Sequence, residues 1–116
     1  MQIDLPALPP PLSACFNNAK GPGRVKSKRY RAWIEHCSWA LNNIRDHLVA
    51  GPVNVTYLIQ RPDKRKRDLG NLEKALSDLL VSMGIIQDDS LIVDLRLAWS
   101  DSIAAPVEIT IERAPA

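Results

Sequence analysis

The chain has 116 residues, 46% of them hydrophobic, and a formal net charge of +2. This length fits a single domain over residues 1–116, and the apolar content excludes a disordered chain. Two cysteines are too few for a disulfide framework or a zinc-finger spacing. The first residues lack the pattern of a signal peptide, and no apolar run is long enough to span a membrane. We therefore expect a protein of the cytoplasm.

Basic residues are concentrated in two stretches of the chain. Six of the 15 lysines and arginines lie between Lys20 and Arg31, and six more lie between Arg61 and Lys74. The two stretches together contain only three acidic residues. Local basic patches on a nearly neutral protein favour a polyanionic partner, although ordinary solvated loops would produce the same pattern.

The first half of the chain predicts a strand, a loop, a long helix and a second strand. The segment QIDL at residues 2–5 begins as a strand, and the prolines and glycines that follow predict an irregular loop. Ser27 is a predicted N-cap, and an apolar stripe at steps of three and four predicts a helix that reaches Leu48. Gly51-Pro52 ends this helix, and the β-branched residues of 53–60 predict a strand.

The second half predicts another helix and two further strands. Leucine spacing predicts a helix from about Leu69 to Met83, with Gly84 just beyond its end. Residues 91–99 alternate with one apolar side, and another alternating strand follows, so we expect these two strands to form a hairpin. The predicted order is β-α-β-α-β-β. This order indicates an α/β fold in which a small mixed sheet carries two helices packed on one face.

Several polar residues share one face of the second predicted helix. Asn71, Lys74 and Asp78 are three and four residues apart, and Asp68 lies about one turn ahead of them. A solvated face with an Asp N-cap and a Lys74–Asp78 ion pair would explain this spacing without any function.

A second acidic position favours a catalytic interpretation. Asp88 and Asp89 lie in the turn after this helix, and the following strand can bring them near Asp68. Clustered carboxylates repel one another, and a hard cation such as Mg²⁺ relieves that repulsion. A metal beside a basic loop indicates hydrolysis of a phosphodiester, in which a lysine or arginine offsets the charge of the transition state.

The segment KRKRDLGNLEKALSDLLVSMGIIQDDSLIVDL at residues 64–95 resembles the signature of the RusA-type Holliday-junction resolvases, a family of small phage and prophage endonucleases. The family pattern is a basic run, then D-x-D-N-x-x-K-x-x-x-D, then D-D before a strand. The positions that match it are Arg67, Asp68, Asn71, Lys74, Asp78, Asp88 and Asp89. Gly70 stands where the pattern has its second aspartate. The proline-rich start and the segment KSKRYRAWIEHC also resemble the family.

The resemblance implies a homodimer that binds a four-way DNA junction and makes paired, symmetric nicks with Mg²⁺, or with Mn²⁺, in DNA recombination and repair. It implies phage or prophage origin in a bacterial cell. Asp68, Lys74 and Asp89 would be catalytic, Asp68, Asp89 and Asp88 would bind the metal, and Asp78 would support them. The expected DNA contacts are Lys64, Arg65, Lys66, Arg67, Asn71, Lys28, Arg31 and Phe16.

Gly70 leaves three interpretations open. The first is the metal-dependent junction endonuclease. The second is a catalytically weakened protein that binds junctions through the same basic surface. The third is an unrelated α/β protein whose basic loop binds RNA or a protein partner. This third interpretation would make the joint spacing of the acidic, amide and lysine positions a coincidence.

Overall fold

The structure is a computed structural model and describes residues 1–18 and 24–115. The strands within these residues are β1 (Gln2–Leu5), β2 (Phe16–Asn18), β3 (Arg24–Lys26), β4 (Val53–Ile59), β5 (Ile92–Trp99) and β6 (Val107–Arg113). The α-helices are α1 (Leu12–Cys15), α2 (Lys28–Ala40) and α3 (Glu73–Ser82). Short 3₁₀ turns cover Asn42–Ile44, Leu69–Leu72 and Asp89–Leu91.

The main sheet has four strands in the order β1-β6-β4-β5. β4 runs parallel to β5 and antiparallel to β6, which in turn pairs antiparallel with β1. The predicted mixed α/β class is therefore confirmed. The predicted hairpin of the last two strands is wrong, because β4 lies between β5 and β6. β4 buries every second residue along its whole length and takes the central position, so β5 and β6 each bond to one of its edges.

Burial shows which face of the sheet carries the core. In β4 the odd-numbered residues from Val53 to Ile59 are buried, and the residues between them are partly exposed. Trp33 and Cys37 of α2 and Leu76 of α3 belong to the same buried cluster. The helices thus cover one face, as apolar alternation in strands and apolar stripes in helices require. No helix among the described residues is both long and apolar enough to cross a membrane.

The first long helix is shorter than predicted. Its N-cap is confirmed, because the Ser27 hydroxyl accepts a hydrogen bond from the Tyr30 amide at 3.1 Å. The helix ends at Ala40, and Leu48 is 45% exposed instead of continuing the apolar stripe. After α2 the backbone amide of Asp46 donates to the Met83 carbonyl at 2.8 Å, and a similar bond follows at Val49. These bonds pull the segment away from a helical path.

The proline-rich start is more regular than predicted. It contains α1, and β2 pairs antiparallel with β3 from Phe16 opposite Lys26. The Ser27 hydroxyl donates to the Ala14 carbonyl at 2.6 Å, and its amide donates to the Cys15 carbonyl at 2.8 Å. The start is therefore tied to the first turn of α2. Residues 19–23, which include Lys20, lie outside the described residues.

β5 does not have the continuous apolar side predicted for residues 91–99. Its register with β4 shifts after the pair Val53–Ile92, which makes Val93 the extra residue of a bulge. Beyond it, Leu95 lies on the helix-covered face and Asp94 and Arg96 lie on the opposite face. Val93 is 61% exposed. Leu95 is 45% exposed although it lies on the helix-covered face, because β5 is an edge strand.

Candidate active site

The basic loop, residues 61–67, leaves the end of β4 and is exposed throughout. Asp63 organises it, since its carboxylate accepts hydrogen bonds from the Arg65 amide at 3.0 Å and from the Arg67 guanidinium at 2.6 and 3.1 Å. The bond from Arg67 is the main cause that lowers the pKa of Asp63 to about 2. Lys64 and Lys66 form no ion pair with a described residue, so their charges are available to a ligand.

A cleft of about 300 Å³ opens beside this loop. Its charged and polar lining consists of Arg29 from α2, Lys66 and Arg67 from the basic loop, and Asp68 and Asn71 beyond it. Its apolar lining consists of Leu8, Pro9, Pro11, Pro62, Leu72 and Trp99. Three cations and one carboxylate in the lining of a single cleft favour an anionic ligand such as a DNA phosphate.

Arg29 is the residue of this cleft that the sequence did not indicate. Lys28 and Arg31, the residues of this segment that are predicted to contact DNA, are exposed in the first turns of α2. Three basic residues lie in the segment KRYR, and only the direction in which α2 packs decides that Arg29 lines the cleft. Tyr30 and Trp33, both buried, mark the side of α2 that packs on the core, and their helical phase was the signal from which the direction of Arg29 could have been predicted.

Asp68 begins the turn that leads into α3. Its Oδ1 accepts a hydrogen bond from the Gly70 amide at 3.0 Å, and the residue is exposed. The predicted helix start at Leu69 is therefore a 3₁₀ turn, and the α-helix begins at Glu73. A Cβ added at Gly70 would meet Asp68 Oδ1 at 3.4 Å, an ordinary contact, so the position has room for a β-carbon.

Lys74 links two of the predicted acidic residues. Its Nζ lies 3.1 Å from Asp78 Oδ1 on the same helix and 3.7 Å from Asp89 Oδ2 in the Asp89–Leu91 turn. The hydrogen bond to Asp78 and the charge of that carboxylate raise the pKa of Lys74, with a smaller contribution from Asp89. Lys74 is thus a stable cation at neutral pH, held on the exposed side of α3.

Asp88 caps the turn that carries Asp89. Its Oδ2 accepts hydrogen bonds from the Ser90 amide at 3.1 Å and from the Ser90 hydroxyl. These bonds lower the pKa of Asp88. The carboxylate fixes the backbone of the turn and so helps to place Asp89 beside Lys74.

A buried polar chain lies beneath the first turn of α3. The Ser77 hydroxyl donates to Glu73 Oε1 at 2.6 Å and lies 2.8 Å from the Tyr57 hydroxyl. Because the Ser77 proton is used toward Glu73, Tyr57 is the donor to Ser77. Burial raises the pKa of Tyr57. The chain joins α3 to the centre of β4 and was not indicated by the sequence, where Tyr57 is 20 residues away from Ser77.

The three predicted metal ligands do not form one cluster. Among the described residues no group of three or more His, Cys, Asp or Glu side chains is placed to hold a metal ion. Asp68 lines the cleft, Asp89 lies beside Lys74, and Asp88 bonds to Ser90. The ligand set remains a prediction.

Aromatic residues at the edge of the site pack against the protein. Phe16 is partly buried, and its ring meets that of Tyr30 edge to face with centroids 5.6 Å apart. The Arg61 guanidinium lies over the Trp99 ring, 4.9 Å from its centroid. Phe16 is therefore held against the protein by Tyr30, and its contact with DNA stays a prediction.

A family model described as endodeoxyribonuclease RusA matches residues 9–112. The chain belongs to the RusA endodeoxyribonuclease family. The match covers the whole candidate site, from Arg29 through the basic loop to Asp89. It confirms the resemblance that segment 64–95 carries.

Curated members of the RusA family align with most of the chain, and each is named crossover junction endodeoxyribonuclease RusA. The protein of Aquifex aeolicus is 28% identical over 97 residues, which are 83% of this chain and 77% of that relative. The protein of Escherichia coli strain K12 is 31% identical over 90 residues, 77% of this chain and 74% of the relative. The protein of Shigella sonnei is 30% identical over the same shares.

Proposed function

We propose that this chain is an endodeoxyribonuclease that resolves Holliday junctions and related branched DNA in recombination and repair. The observation that carries the proposal is the cleft that Arg29, Lys66, Arg67 and Asp68 line together, within the range that matches the RusA family. The cations of such a cleft can bind a backbone phosphate beside Asp68, the proposed catalytic carboxylate. Its relatives are named for action on crossover junctions.

DNA binding in this proposal depends on phosphate contacts. Lys64, Lys66 and Arg67 would grip the backbone from the basic loop, and Arg29 would approach from α2. Phosphate contacts position the protein and make binding sensitive to salt, while the geometry of the junction provides selectivity. Asn71 adds an amide that can bond a phosphate or a sugar.

The proposed cofactor is Mg²⁺, or Mn²⁺, and its proposed ligands are Asp68, Asp89 and Asp88, which do not converge on one point among the described residues. These ligands fit a hard cation in their chemistry, because all are exposed carboxylates, and Mg²⁺ needs few of them when it keeps several waters. When bound, the metal would polarise the phosphodiester and activate water. Only one oxygen of Asp68 accepts a hydrogen bond from a described residue, so the other is available as a ligand.

Lys74 is the proposed electrostatic catalyst. Its raised pKa keeps it protonated at neutral pH, and its distances of 3.1 and 3.7 Å to Asp78 and Asp89 hold it beside a proposed ligand. A positive charge in this place would offset the charge that develops on the phosphate. Asp78 would orient the ammonium group without touching the substrate.

Two copies are proposed to act together. A homodimer would bring one site to each of two strands, and its two-fold symmetry can coincide with that of a four-way junction. Paired, symmetric nicks would follow. Two observations favour the weakened, binding-only alternative: glycine occupies position 70, and no three acidic side chains converge in the described residues.

Strand-cleavage assays on a synthetic four-way junction with Mg²⁺ or Mn²⁺ test the proposal. We expect paired nicks in the junction and little cleavage of linear duplex of the same sequence. Intact junction binding without cleavage in either metal would favour the binding-only alternative. Absence of both binding and cleavage would overturn the proposed function.

A further inference from the structure

The outer edge of β5 is open among the described residues. Among the described strands β5 ends the sheet order and pairs only with β4, while Val93, Asp94, Leu95 and Arg96 are all exposed. The strand has eight residues and contains no proline. An edge of this length with exposed apolar side chains is a template for another strand, and natural proteins cover or interrupt such edges.

The charges on β5 make this edge complementary to itself. When two copies of one strand pair antiparallel about a two-fold axis, directly opposite residues lie on the same face of the sheet. Asp94 and Arg96 share the face opposite the helices and lie on either side of Leu95. With the axis at Leu95, each Asp94 is opposite the Arg96 of the other copy, and opposite charges across a sheet are stabilising.

The neighbouring registers lack this match. An axis at Asp94 or at Arg96 would place each of these residues opposite its own copy, and like charges directly opposite are destabilising. An axis at Val93 would place Asp94 opposite Ile92 and Arg96 opposite Ser90, and an axis at Leu97 would place Asp94 opposite Ser100 and Arg96 opposite Ala98, so neither charge would meet a charged partner. The charge pattern of the strand therefore selects one register.

We propose that β5 pairs with β5 of a second copy of this chain, antiparallel, with Leu95 on the two-fold axis. In this register Leu95 meets its own copy and Val93 meets Leu97, which covers the two most exposed apolar side chains of the strand. The bulge at Val93 lies at the end of the contact, and the strand is regular from Asp94 onward.

The pairing joins the two four-stranded sheets into one continuous sheet. Because the axis is perpendicular to the sheet, the helices of both copies lie on the same face. Both candidate active sites, at the start of α3, are then on one side of the dimer. The inference rests on the homodimer of the proposed function and specifies its interface.

Charge reversal tests the register. We expect Arg96→Asp to raise the dimer dissociation constant about tenfold or more, because two attractive pairs become repulsive. The double variant Asp94→Arg/Arg96→Asp exchanges the charges and restores dimerisation to near the parent value. Arg113→Asp is the matched control, since it makes the same charge change at an exposed site on β6. We expect it to leave the dimer dissociation constant unchanged. Sedimentation equilibrium measures each constant.

Crosslinking tests the axis independently. Both native cysteines, Cys15 and Cys37, are buried, so Leu95→Cys introduces the only exposed thiol. Directly opposite residues are close enough for a disulfide, and we expect this variant to form covalent dimers under mild oxidation. Val93→Cys is more exposed but lies opposite Leu97 in this register. It should crosslink at least about tenfold more slowly than Leu95→Cys.

The outcomes separate the interface from the function. Two results would overturn the β5 interface and leave the nuclease proposal standing. One is a dimeric parent and an Arg96→Asp variant with the same dissociation constant, and the other is faster crosslinking at position 93 than at position 95. A parent that is monomeric at all concentrations, without crosslinking at position 95, would overturn the interface and the proposed homodimer together. Loss of dimer in the single variant with recovery in the double variant supports the inference.

Discussion

Asp68 has a structural role and a proposed catalytic role that a single substitution can separate. It caps the turn before α3 through its bond to the Gly70 amide, and it is a proposed metal ligand. Asparagine is as good an N-cap as aspartate but carries no charge. We expect Asp68→Asn to reduce junction cleavage to background and to leave binding equal or tighter, because a negative charge near the phosphate is removed. Cleavage and gel-shift assays measure both, and cleavage at the parental rate would show that Asp68 is not in the active site.

Gly70 decides how complete the natural site is. A Cβ here makes only an ordinary contact with Asp68, so Gly70→Asp should fold normally. We expect a gain in cleavage rate of about tenfold or more if the site lacks a ligand, since even the groups that only hydrogen-bond the ligands of a metal site change activity by about 10–100-fold. Gly70→Asn is the matched control, because it adds similar bulk without charge. An unchanged rate in the aspartate variant would show that the natural ligand set is already complete.

At the scale of elements, the basic loop and α2 act as one surface. Lys66 and Arg29 line the same cleft although they are far apart in sequence. We expect Lys66→Ala or Arg29→Ala to weaken junction binding and to reduce the slope of binding against salt by about one. Arg113→Ala, on an exposed position of β6, should change neither quantity. Titrations at several salt concentrations test this, and an unchanged slope for Arg29→Ala would place it outside the DNA interface.

The buried chain of Tyr57, Ser77 and Glu73 holds α3 on β4. Ser77→Ala leaves the Tyr57 hydroxyl without its partner, and we expect the free energy of unfolding to fall by about 1–3 kcal/mol. The double variant Ser77→Ala/Tyr57→Phe removes both hydroxyls, so no buried Tyr57 donor is left without a partner. We expect it to be more stable than Ser77→Ala alone. Denaturant unfolding provides the values. A Ser77→Ala variant as stable as the parent would show that the chain does not stabilise the helix.

At the scale of the whole molecule, the proposed dimer has one site in each copy. Mixed dimers of parent and Asp68→Asn chains should therefore nick only one strand of a junction and leave the second strand intact. Differently tagged chains, co-purified to isolate the mixed dimer, allow the products to be separated on denaturing gels. Cleavage of both strands by a mixed dimer at the parental ratio would contradict one site per copy.

Much of this chain could be predicted from its sequence because the signals are local. Ser27 caps α2, the leucine spacing marks α3, and Gly84 adopts the left-handed conformation with φ of 69° at its end. The Lys74–Asp78 pair follows from helical spacing alone. The length of α2 could not be predicted, because it ends where distant backbone groups at Met83 and Ile85 capture the following segment.

The sequence by itself determined the α/β class, the family and the residues from which a site can be built, since periodicity, caps and motif spacing depend only on neighbours along the chain. The tertiary structure alone decided that β4 separates β5 from β6, that Arg29 reaches the cleft, and that Asp89 lies against Lys74 while Asp68 does not join Asp88 and Asp89 in one cluster. The physical reason is that strand order and helix direction depend on how apolar faces pack together. That packing brings together residues that no local pattern connects.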